Sequence, residues 1–135
     1  MSDIVYPIII TIIGWIIVHY LSEKRDRKKE WREFSRDTAK FIEVIEDRSI
    51  SYHTGNSRDI NLESRIKSDI EYLDSRLSLI KRKLKFDSEV SFFRASITLY
   101  NFETCTFNTQ CQNSELIRDI YWNANILKNA LYKAE

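Results

Sequence analysis

IVYPIIITIIGWIIVHYL (Ile4–Leu21) decides how the rest of this 135-residue chain is read. Eleven of its 18 residues are Ile, Val or Leu, and no Asp, Glu, Lys or Arg falls among them. At ~1.5 Å of rise per residue, a helix of that length covers about 27 Å, close to the ~30 Å hydrocarbon core of a bilayer. Three other readings fail. A secretory signal carries positive charge before its apolar run and small residues at its end, whereas here SEKRDRKK comes after the run. A buried core helix would show a polar stripe. A helix lying flat on a membrane needs one polar face, and Ile8 to Ile13 is apolar all round. The stretch is therefore expected to span a membrane, with Ile4, Pro7, Gly14, Trp15, His19 and Leu21 among its membrane residues.

The flanks predict a direction. Lys24, Arg25, Arg27, Lys28, Lys29 and Arg32 lie directly after the run, and no Lys or Arg lies before it. Positive residues are retained on the cytoplasmic side, so the N-terminus is expected to face outward and the C-terminal part the cytosol. Trp15, His19 and Tyr20 suit the inner headgroup level and Tyr6 the outer one. Pro7 is expected in the first turn, where a missing N–H does little harm. The expected organisation is an anchor over residues 1–22 and a cytosolic domain over 23–135.

Charged residues make up 30% of the chain and leave a formal net charge of +1, so bulk charge predicts no double-stranded nucleic acid as partner. Two Gly and one Pro are far below ordinary usage of ~7% and ~5%. That argues against turn-rich sheets and against phosphate-cradling glycine loops. The predicted class is all-α: the transmembrane helix, then an antiparallel bundle of about four helices.

Beyond the span, Trp31, Phe34, Thr38, Phe41, Ile42 and Ile45 recur at helical spacing as far as about Arg48, with no Gly or Pro separating them from the span. Ser49–Asn61 reads as a break, either a surface loop or a binding loop, and holds His53 and Gly55. From about Leu62 to Lys85, Ile66, Ile70, Leu73, Leu77, Ile80 and Leu84 form a heptad seam, with Asn61 or Asp59 as the start cap. Lys81, Arg82, Lys83 and Lys85 either complement the helix dipole or, with Arg58 and His53, form an anion-binding site. Asp87 or Ser88 is expected to cap a third helix bearing Val90, Phe93, Ile97 and Tyr100. Its extra aromatics, Phe92 and Phe102, point to a subunit contact. Thr104–Asn113 reads as a loop carrying Cys105 and Cys111 as free thiols, since a cytosolic disulfide is disfavoured and zinc lacks ligands. Ser114 and Glu115 open the last helix, whose seam is Ile117, Ile120, Ala124, Leu127 and Leu131, with Asn123, Asn125 and Asn129 exposed or at an interface. The expected core is Phe34, Phe41, Ile45, Ile66, Ile70, Leu73, Leu77, Phe93, Ile97, Ile120, Leu127 and Leu131. A bundle this small is marginal alone, which favours a homo-oligomer.

No catalytic constellation emerges. His53 is the sole histidine beyond the span, no G-x-S-x-G or H-E-x-x-H occurs, and acids alternate with bases along the helices as on a solvated face. The expectation is a non-enzyme without cofactor or metal. The span offers no ionisable pore lining except His19 near its edge, so a channel would need several copies with Thr11 and Gly14 inward.

WIIVHYLSEKRDRKK (Trp15–Lys29), with its pattern W-x3-H-x-L-S-x-x-R-D-R, resembles the N-terminus of small single-pass bacterial membrane proteins. Some proteins of this build serve as membrane effectors in anti-phage systems, of type III CRISPR or retron kind. The resemblance implies an effector or sensor whose cytosolic domain oligomerises, on binding a cyclic oligonucleotide in the CRISPR type, and perturbs the inner membrane. The alternatives are a non-enzymatic anchor or scaffold recruiting a protein partner, and a phage exclusion or lysis protein.

Overall fold

A computed structural model describes residues 2–80 and 86–134. Among the described residues the chain is all-helical: α1 (Ser2–Thr54), α2 (Ile60–Ser78), α3 (Asp87–Thr98) and α4 (Glu115–Lys133), with no strand. It forms two units, residues 2–34 and residues 35–134. The second begins at Ser35.

The first unit is helical throughout. α1 starts at Ser2, so Pro7 lies inside the helix rather than in the expected first turn. The Thr11 hydroxyl donates to the Pro7 carbonyl at 2.8 Å. None of the apolar window of α1 is buried against the chain, and it is long and apolar enough to cross a membrane.

In the second unit α1 continues to Thr54, so the break expected from Ser49 starts only at Gly55. Ile50, Tyr52 and His53 extend the buried stripe begun at Ile42 and Ile45. The Ser49 and Thr54 hydroxyls donate to the carbonyls of Ile45 and Ile50, at 2.6 and 2.7 Å. Those bonds absorb the side-chain polarity that makes Ser and Thr read as loop residues. Burial outweighs propensity.

Asp59 caps α2, its carboxylate accepting from Leu62 N–H at 3.0 Å. Ile66, Ile70, Leu73 and Leu77 are buried as the heptad seam requires; Leu84 and the four cations at positions 81, 82, 83 and 85 lie outside the described residues. Side-chain contacts pair Thr38 with Arg76, Phe41 with Tyr72, Arg48 with Asp69 and Tyr52 with Glu63, joining α1 to α2. The N-cap of α3 is Phe86, with no side-chain cap, in place of the expected Asp87 or Ser88. The Ser88 hydroxyl donates instead to the Glu89 carboxylate at 2.9 Å. α3 ends at Thr98 and packs on α4, which Ser114 caps by accepting from Ile117 N–H at 3.3 Å.

The core joins all four helices: Ile42 and Ile45, the α2 seam, Phe93 and Ile97, and Ile117, Ile120, Ala124, Leu127 and Leu131. Two expected members differ. Phe41 is half-buried, edge-on to Tyr72 with ring centres 5.2 Å apart, and Phe34 is half-buried, stacked on Trp31 at 5.6 Å.

Candidate functional site: a buried polar cluster under the α3–α4 loop

Three separate segments meet where α1 ends: the last turn of α1, the start of α2, and the loop after α3. Each supplies polar side chains that a small apolar core would normally exclude. Tyr52 and His53 from α1, Glu63 from α2 and Asn101 from the loop are all buried.

Glu63 is the hub. Arg58 grips it with Nε to Oε2 at 2.9 Å and Nη2 to Oε1 at 3.0 Å, the planar fork matching a carboxylate. The Glu103 backbone N–H donates to Oε1 at 3.2 Å, and Lys67 Nζ stands 3.5 Å away. Arg58 first, then the Tyr52 hydroxyl and the Glu103 N–H, hold the Glu63 pKa down at about 2 against the opposing effect of burial. The Tyr52 hydroxyl faces two acceptors, Glu63 Oε2 at 2.7 Å and the Asn101 carbonyl at 2.6 Å. Burial, then the Glu63 carboxylate, pushes the phenol well above its ordinary pKa. Tyr52 therefore stays protonated and Glu63 ionised.

His53 donates from Nε2 to the Ile97 carbonyl at 2.8 Å, and its Nδ1 accepts from Asn101 Nδ2 at 3.3 Å. That arrangement requires the neutral ring, because a protonated Nδ1 would oppose a donor. Burial lowers its pKa, the Ile97 bond partly opposing. Asn101 also donates to the Asn108 carbonyl at 2.8 Å and accepts from Asn108 N–H at 2.9 Å. Its φ of 65° is left-handed, a conformation Asn adopts more readily than most residues. Glu103, with φ 52°, makes a second left-handed bend. The His53 carbonyl accepts Gln110 N–H at 2.8 Å, and the Gly55 carbonyl accepts the Thr109 hydroxyl at 2.8 Å. Phe102 and Phe107 close over the Tyr52 ring, with centres 4.7 and 5.5 Å away.

The cluster is closed on itself: each named side chain has its partners within the fold, and its product is a loop pinned to two helices. His53, expected in a loop and as a possible anion ligand, is fully buried, and Arg58 is committed to Glu63 and the Thr104 carbonyl. His53, through Asn101, and Arg58, through Glu63, thus belong to one cluster, while Lys81, Arg82, Lys83 and Lys85 lie outside the described residues. Glu63, Tyr52 and Asn101 escaped the sequence reading because their partners lie 11 and 49 positions apart in the chain. The one local sign was Asn101 just past the end of α3, directly after Tyr100.

Elsewhere, Trp15 stacks on His19, ring centres 5.4 Å apart, and nothing of the chain lies within 4 Å of where a Cβ on Gly14 would sit. Cys105 and Cys111 are unbonded and exposed. Glu46 is buried with Oε2 unpartnered; burial raises its pKa while Lys128 opposes. A groove between α3 and α4 is lined by Phe92, Leu99, Tyr100, Leu116, Asp119 and Asn123, and Trp122 stands exposed on α4. No group of three or more His, Cys, Asp and Glu able to hold a metal occurs among the described residues. Compared with protein-family models, curated proteins and solved structures, the chain matches none.

Proposed function

We propose that the chain is a single-pass protein of the bacterial inner membrane, N-terminus outside, whose cytoplasmic antiparallel helical bundle self-associates and drives the spans to disturb the bilayer, as an effector or sensor of anti-phage defence. The observation that carries it is the apolar surface of α1: the large hydrophobic side chains from Val5 to Leu21 are between 48% and 70% exposed. A continuous sleeve of that kind on a helix needs hydrocarbon around it. The basic residues directly after it support the orientation. The contacts between α1 and α2 support the antiparallel arrangement, since partners fall from Arg76 to Glu63 as α1 rises from Thr38 to Tyr52.

The reading is non-catalytic. What supports it is that both nitrogens of His53 are engaged, Tyr52 is held protonated, and Glu63 is wrapped by cations. The defence role rests on the resemblance at Trp15–Lys29. An anionic ligand, with a cyclic oligonucleotide as the candidate, rests on Lys81, Arg82, Lys83 and Lys85. Carbonate-washed membranes should retain the full-length chain, and recovery in the supernatant without detergent defeats the reading. Induced expression should collapse the membrane potential. Size exclusion of the detergent-solubilised chain, with and without cyclic oligoadenylates, tests the ligand: an unchanged oligomer and no binding remove it.

The α3–α4 groove favours a second reading, a scaffold that recruits a protein through Phe92, Leu99 and Tyr100. Stoichiometric co-purification of one protein from membranes whose potential stays intact supports it over the effector.

A further inference from the structure

The charges that follow the span alternate in sequence but separate on the helix. Each residue turns the chain by about 100°, so Lys24, Arg25, Lys28 and Lys29 fall on one side, with Arg32 in line. Glu23, Asp26, Glu30 and Glu33 fall on a second side, about 150° round, with Arg27 at its edge beside Glu23. Six pairs of charged residues stand four apart between Glu23 and Glu33, and four are like-charged: Lys24/Lys28, Arg25/Lys29, Asp26/Glu30 and Lys28/Arg32. Like charges at that spacing destabilise an isolated helix, so a solvated single helix would be expected to mix its signs. Glu23 and Arg27 do pair, four residues apart. Residues 23–30 are exposed along both faces.

The same two sides differ within the apolar stretch. Gly14 projects on the basic side, and a Cβ there would meet nothing of this chain, so the fold of one copy does not call for a glycine. Trp15, at nearly the height of Gly14, and His19, stacked on it, project on the acidic side. Small residues let helices approach closely in lipid.

We propose that residues 14–33 of α1 form a head-to-tail interface with a second copy of this chain: the basic side of one helix, notched at Gly14, docks on the acidic side of the next, ridged by Trp15. The inference rests on the membrane reading above, because spans in one bilayer hold the copies parallel and at one height. At that height Lys24 and Lys28 of one copy stand level with Asp26 and Glu30 of the next. Two sides about 150° apart cannot both be covered in a two-fold dimer, which uses the same patch on both partners. They are both covered in a closed ring of more than two copies.

Full-length chain extracted in mild detergent tests this by sedimentation and by cross-linking in the membrane before extraction. The wild type should be an oligomer larger than a dimer that dissociates in ~1 M salt, where screening falls to about 3 Å. Asp26→Lys with Glu30→Lys should weaken association by ~tenfold or more, since like charges then meet across the interface. Lys24→Glu with Lys28→Glu should do the same, and Arg25, Arg27, Lys29 and Arg32 keep its orientation. Co-expressed, the two double variants should assemble with each other. Rescue of that kind is not expected of variants that merely misfold. A wild type that is monomeric in membranes, an oligomer indifferent to both variants, or a failed rescue overturns the interface. So does an unchanged oligomer that retains more phosphatidylglycerol when Asp26 and Glu30 are Lys, which would mean the basic side serves lipid headgroups. Membrane retention of the monomeric wild type would leave the membrane reading standing while the interface falls.

Discussion

His53 is the residue whose environment most constrains its chemistry. Its neutral ring is built into the fold and burial lowers its pKa below 6.5, so the unfolded chain binds the extra proton first. The stability it contributes is complete above pH 6.5 and declines as the pH falls below it. Glu46 acts in the opposite sense, because its raised pKa gives stability that is lost as the pH rises. Thermal unfolding of the solubilised chain should therefore show a falling midpoint from pH 7 towards pH 5.5, and His53→Gln should flatten or reverse that slope. An unchanged slope in the variant would show that His53 titrates freely. Glu63 adds a later loss: its stabilisation is complete above 4.5 and disappears as the pH falls towards about 2. Tyr52→Phe keeps the ring packing and removes the hydroxyl shared by Glu63 and Asn101. It should cost about 1–2 kcal/mol in denaturant unfolding, the range for a lost buried hydrogen bond.

Among the elements, the helix starts are unequal. Asp59 and Ser114 each accept a backbone N–H, whereas Ser88 turns to Glu89 and α3 starts without a side-chain cap. Asp59→Ala and Ser114→Ala should each lower stability by about 1 kcal/mol. Ser88→Ala should leave stability within about 0.5 kcal/mol, as surface substitutions usually do. A Ser88 variant as costly as the other two would refute the assignment of Phe86 as N-cap. The α2 seam is more demanding: Leu73 is fully buried, and Leu73→Ala should cost about 2–5 kcal/mol in the same assay.

For the whole molecule, the two free, exposed cysteines test the proposed orientation of the helical unit. A membrane-impermeant maleimide should label Cys105 and Cys111 in inverted inner-membrane vesicles and leave them unlabelled in intact spheroplasts. The reverse pattern would put residues 35–134 outside the cell. It would also make a disulfide between those cysteines plausible, since that compartment oxidises thiols.

Periodicity and composition alone determined the helical class, the apolar N-terminal helix, the α2 and α4 seams and the start of α4 at Ser114, and narrowed the α2 cap to Asn61 or Asp59. Each depends on residues within a few turns of one another, where spacing maps directly onto a helix face. Only tertiary structure decided that α1 runs on through Ser49 to Thr54, because the burial that stabilises Ile50, Tyr52 and His53 comes from other helices. It alone decided the Tyr52–Glu63–Asn101 cluster as well. Those residues belong to three segments with no local signature, and a hydrogen bond between groups far apart in the chain exists only once folding has brought them together.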